Sequence, residues 1–165
     1  MQWNKSDRTD VNFFVNPTNS MEIIALAGLL AGALDITATS TLMSLQGMPL
    51  ERLWQGIASG ALGTSAFKGG KKTAALGLFF HFAIAFTLAA IYYAISRQLP
   101  ITSERPVLCG TLYGVIVHLV MSRVVVPLSA VPKRAFSAKA FVTQLVIHIC
   151  FVGLPIALTV AHFTR

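Results

Sequence analysis

The chain has 165 residues, 55% of them hydrophobic and 12% charged, with a mean hydropathy of +0.68. Soluble domains carry about 25% charged residues, and here the apolar residues fall in long blocks. That excludes an ordinary water-soluble globule and leaves one membrane domain of about four spans, with no room for a separate soluble catalytic module. The net charge of +7 would raise nucleic acid in a soluble protein. The basic residues instead sit at the ends of apolar blocks, without a basic stripe interleaved with aromatics, so no nucleic-acid partner is expected.

Residues 1–20 are polar, carry both charge signs and lack the short basic opening of a secretory signal, so they are expected to form a tail. The first span is predicted over 21–44. Gly28 and Gly32 stand four apart, a spacing that forms a groove for close backbone approach, and Asp35 follows three residues later on the same face. After Pro49, over about 50–66, Leu50, Leu53, Trp54, Ile57 and Ala61 recur at helical spacing while Glu51, Arg52, Gln55 and Ser59 take the other side. This predicts an amphipathic interfacial or re-entrant helix, ended by Gly69 and Gly70 and anchored by Lys68, Lys71 and Lys72. Gly56 and Gly60 make a second close-approach pair within it. The run SAFKGGKKT is not a phosphate-binding loop: Ser65 stands where its first glycine must be, Lys72 where its Ser/Thr must be, and no strand precedes it.

The second span, 73–96, carries Gly77, His81 and Ala85 on one stripe and closes at Arg97 and Pro100. The third, 106–126, carries Gly110, Gly114 and His118 on one stripe, with Arg123 beyond them, and is expected to stop at Pro127. The fourth, 140–163, carries His148; Pro155 removes the hydrogen bond to Phe151 and predicts a kink. His162 lies near the opposite surface and joins no cluster. Cys109 and Cys150 fall at different depths, which argues against a disulfide. The fold class is therefore all-α, an integral membrane four-helix bundle with an interfacial helix between the first two spans.

Each span has one ionisable residue near its middle: Asp35, His81, His118 and His148. Counted along each helix from the side of the first connection, all four lie about 12 to 14 Å deep. Ionisable groups inside spans are rare and costly, and they usually face the bundle interior and mark function. Three readings follow. A transition metal could take His/His/His/Asp as ligands, or a b-type haem could take two of the histidines. A proton relay along Asp and His serves permeation in an oligomer. Alternatively the residues only tie helices together in a structural or assembly subunit, with an Asp35–Arg123 ion pair as the main tie. The bilayer is the expected partner, with a second copy or a membrane-complex subunit as further candidates. No nucleophile and base are arranged for hydrolysis, so the reading leans away from an enzyme.

The side of the first and third connections bears Arg52, Lys68, Lys71, Lys72, Lys133, Arg134 and Lys139, against Lys5, Arg8, Arg97, Arg105 and Arg165 opposite. Positive residues gather on the cytoplasmic side, so both termini are expected outside. The runs GLLAGALDITA, IASGALGTSAFKGG, AALGLFFHFAIAF, YYAISRQLP and VVVPLSAVP together resemble the YagU-like family of small bacterial inner-membrane proteins with four spans, over nearly everything from Met21 to His162. That resemblance implies a location and an architecture but no activity. It places Asp35, Gly69, Gly70, His81, Pro127 and Ser129 within signature runs, while His118 and His148 rest on the depth and face argument alone.

Overall fold

A computed structural model describes residues 19–133 and 135–164, so most of the expected N-terminal tail lies outside the described residues. These form six helices and no strand: α1 (Ser20–Leu45), α2 (Leu50–Leu62), α3 (Gly70–Ser96), α4 (Ile101–Glu104), α5 (Pro106–Leu128) and α6 (Ala138–Thr164). Four of them, α1, α3, α5 and α6, are 23 to 27 residues long and apolar enough to cross a membrane. The chain is a multi-pass membrane protein built as an all-α bundle. With 13 residues, α2 is about 20 Å long, too short to cross about 30 Å of hydrocarbon.

Local chemistry sets the ends. Asn19 caps α1 by accepting from the Glu22 backbone N–H at 2.9 Å, and its amide donates back to the Glu22 carboxylate at the same distance. Gly47, at φ +80, turns the chain out of α1. Pro106 occupies the first position of α5, where its missing N–H loses nothing, and Ser137 caps α6 by accepting from Ala140 at 3.3 Å. A 3₁₀ segment over Gly63–Lys68 ends the predicted interfacial stretch.

Two of the three glycine pairs pack helices as expected. Gly28 and Gly32 of α1 receive Phe86 and Phe82 of α3; a Cβ on Gly32 would stand 2.8 Å from Phe82 Cδ1. Gly110 and Gly114 of α5 receive the backbone of α6, where a Cβ on Gly114 would stand 2.6 Å from Ile149 Cα. Backbones meet this closely where lipid removes the hydrophobic drive between helices. The third pair departs from expectation. A Cβ on Gly56 would meet nothing within 4 Å, and on Gly60 nothing nearer than 3.9 Å, because this face of α2 borders open space. What α2 buries is Gln55, Ala58 and Ser59, two of which the amphipathic reading put on its polar side. Small side chains let α2 lie tightly on α3 at Gly77, which faces the Trp54 carbonyl, and Gln55 donates to the Gly70 carbonyl at 3.1 Å.

α1 lies between α3 and α6, and α5 packs on the far side of α6. The core between them is made of small and branched residues, among them Ala27, Ala31, Ala89, Ile156, Ala157 and Val160. α3 and α5 meet through Tyr92 and Tyr113, edge to face at 5.0 Å, and the Tyr113 hydroxyl donates to the Leu88 carbonyl at 2.8 Å. α5 does not stop at Pro127. It runs on to Leu128 through a π turn at Met121–Val125, and α6 passes Pro155 through another at His148–Gly153. Both prolines stand two residues beyond a π turn. A widened turn relieves the clash between the proline ring and the carbonyl four residues earlier, so the expected break in α5 and kink in α6 become local rewinding.

Candidate functional site

A cavity of about 500 Å3 lies inside the bundle, walled by α1, α2, α3, α5, α6 and the loop after α5. It reaches from the level of Asp35 to the end of the bundle where α2 lies, since Met43, Met48, Arg52, Ser129 and Pro132 also line it. Its size falls within the range of small-molecule sites, and most of its wall is apolar. Gly56 and Gly60 line it, which accounts for the space beside α2. The loop after α5 is tied to α2 by the Ala130 N–H, which donates to the Gly60 carbonyl at 2.9 Å.

Three of the four intramembrane ionisable residues come together on this cavity: Asp35 from α1, His81 from α3 and His148 from α6. Asp35 Oδ2 is 3.9 Å from His81 Nδ1, and Asp35 Oδ1 is buried without a hydrogen-bond partner. The other nitrogen of His81, Nε2, donates to the Gly32 carbonyl at 2.9 Å, so the glycine groove of α1 also fixes the imidazole of α3. In His148, Nδ1 donates to the carbonyl of Gln144 one turn earlier at 2.7 Å, leaving Nε2 for other partners.

His118 is not on the cavity wall. It is 3% exposed, its ring stands edge to face with Phe141 at 4.5 Å and 5.3 Å from that of His148, and neither nitrogen has a hydrogen-bond partner. Arg123 does not reach Asp35. It is exposed, with its guanidinium 5.8 Å from the centre of the Phe141 ring, and the ionic neighbour of Asp35 is His81. The expected Asp35–Arg123 tie is therefore replaced. Arg123 sits inside the π turn of α5, where counting by regular helical steps misplaces its direction.

The four-residue metal centre is not assembled: among the described residues, no three His, Cys, Asp or Glu side chains could hold one ion. The His118–His148 pair does not suit a haem either. Two imidazoles on opposite faces of an iron, each bonded at about 2 Å, hold their ring centres more than about 6 Å apart with the macrocycle between them. At 5.3 Å these rings are in contact with each other.

The sequence reading left out the remaining polar wall: Thr39, Arg52, Ser59 and Gln144. Two of them carried a signal. Thr39 stands four residues after Asp35 and Gln144 four before His148, so each shares a helical face with a residue already singled out. No family model, curated protein or solved structure matches the chain.

Proposed function

We propose that the protein binds a small, partly apolar molecule within the membrane, lodged in the cavity with its polar end at Asp35. One observation carries this. A carboxylate forms part of the wall of a ligand-sized cavity, with one oxygen unpartnered and the other 3.9 Å from an imidazole. A residue kept only to tie helices would have its lone pairs satisfied by those ties, because an unsatisfied buried carboxylate destabilises the fold it is meant to hold. Open space beside such a group favours a site over a clasp.

Gly56→Leu supplies the test, since it adds bulk to the cavity at a position with no atom in the way. An aromatic fragment library is screened by thermal melting of the purified protein in mild detergent. Fragments that raise the melting temperature of the wild type but not of Gly56→Leu support the reading. If none does so, or if both proteins respond alike, the cavity is not a binding site.

The same reading places the protein in the inner membrane of a bacterium, supported by the resemblance of its signature runs to YagU-like proteins. Lys68, Lys71, Lys72 and Lys133 gather at the end of the bundle where α2 lies, which favours a cytoplasmic position for that end and termini outside. Lys71 and Lys72 open α3 against its own macrodipole, so helix stability does not explain them, whereas anchoring at a polar border does. Lipid tails are the proposed cover for apolar side chains left exposed on the four spans, such as Phe79, Leu112 and Val146.

A further inference from the structure

His81 is fixed at one nitrogen. A carbonyl oxygen can only accept, so Nε2, 2.9 Å from the Gly32 carbonyl, carries a hydrogen. Nδ1 is then the nitrogen whose proton varies, and it faces Asp35 Oδ2 at 3.9 Å. With Nδ1 bare and Asp35 ionised, two lone pairs face each other while Oδ1 also lacks a partner, and the wall carries an uncompensated negative charge. With one proton on the pair, as an imidazolium beside a carboxylate or an imidazole beside a carboxylic acid, the wall is neutral.

We propose that Asp35 and His81 together hold one exchangeable proton, and that the ligand of the cavity is an organic cation bearing N–H donors whose binding at Asp35 releases that proton. The inference rests on the cavity being a binding site. Its basis is charge balance away from water: one positive charge neutralises Asp35, and a second would leave the wall positive, so proton and cation compete for the same place. The exchange balances, with one cation in and one proton out to water. No bond other than that N–H or O–H breaks, and nothing is oxidised or reduced.

The neighbouring groups fit such a ligand. His148, with Nδ1 given to Gln144, offers an acceptor at Nε2 when neutral, and Asp35 is itself an acceptor. Ile36, Leu53, Ile57 and Val125 give an apolar wall for a carbon body. The titratable groups on this wall besides Asp35 are His81 from α3 and His148 from α6. Arg52 of α2 lines the same cavity but is exposed, with its guanidinium 5.3 Å from the centre of the Phe67 ring. Neither α5 nor the loop after it adds a charged side chain to the wall; they contribute Met121, Val125, Val126, Ser129, Val131 and Pro132.

The test uses 4-phenylbenzamidine, a cation throughout the histidine range, and its neutral isostere 4-phenylbenzamide, titrated calorimetrically into the purified protein. Two buffers of different ionisation enthalpy are compared at several values between about pH 5 and 8. The expected result is an amidine that binds more tightly than the amide and releases about one proton. Its dissociation constant falls by up to about tenfold per unit rise in pH, while that of the amide stays flat. In Asp35→Asn both the proton release and the preference for the amidine disappear. Amidine binding without proton release, or no tighter than the amide, overturns the exchange and leaves the cavity reading standing. Proton release that survives Asp35→Asn overturns its assignment to this pair. Failure of both probes to bind also overturns the inference, and the Gly56→Leu screen then decides separately whether the cavity binds anything. Should Asp35→Asn fail to fold, the comparison of the two probes on the wild type still decides.

Discussion

Tyr92 and Tyr113 share one aromatic contact in the core but differ in their hydroxyls. That of Tyr113 donates to the Leu88 carbonyl, whereas that of Tyr92 is buried without a partner. A hydrogen bond between buried groups contributes about 0.5–1.5 kcal/mol, and a buried polar atom left unpaired costs a similar amount or more. Tyr113→Phe is therefore expected to lower the melting temperature in detergent, and Tyr92→Phe to leave it unchanged or raise it, with the edge-to-face ring pair kept in both. Equal losses in the two variants would show that the rings, not the hydroxyls, set the contribution. His118 and His81 differ in the same way. His81 has one nitrogen on a carbonyl and the other toward a carboxylate, while His118 is packed as an aromatic disc against Phe141. Residue type and depth are the same for both, so the sequence had no means of separating the imidazole on the cavity from the one in the packing.

At the scale of the helices, the glycines make the sharpest contrast. Gly114→Ala would drive a methyl into the backbone of α6, where neither Ile149 Cα nor the His148 carbonyl can give way without moving the helix. A loss of about 1–3 kcal/mol, the usual consequence of overpacking, is expected. Gly56→Ala meets nothing and removes a flexible residue from a helix interior, so a gain of about 0.5–1 kcal/mol is expected. Thermal melts of the two variants side by side check both. The spacing of four is identical in these pairs, and only the neighbouring element decides which is a contact and which is a cavity wall. The four spans, the prolines, the packing of Gly28, Gly32, Gly110 and Gly114, and the presence of Asp35, His81 and His148 on an inner surface could all be read from apolar blocks and helical faces. The exclusion of Arg123 and His118 could not. A π turn has one residue more than an α turn, so what precedes it is rotated by about 100° relative to a regular helix. Pro127 and Pro155 are its only marks in the sequence, and proline equally predicts a break or a kink.

Across the whole molecule, the position of Asp35 along α1 has an electrical consequence. It stands ten residues before Leu45, so a ligand arriving from the α2 end travels about 15 Å, roughly half of the hydrocarbon thickness. A charge crossing the full membrane potential changes energy by about 2.3 kcal/mol per 100 mV, so a cation binding alone at this depth would gain or lose about 1 kcal/mol, a roughly fivefold change in affinity. A cation that displaces a proton back along the same path moves no net charge. Amidine binding in liposomes carrying an imposed potassium diffusion potential is therefore expected to be unaffected by the sign of the voltage, and a severalfold dependence would show the cation entering without its counter-proton. A proton that left instead by the opposite face would make the cycle sense nearly the whole potential, and the depth of one carboxylate would then couple the cavity to the cell's electrical energy.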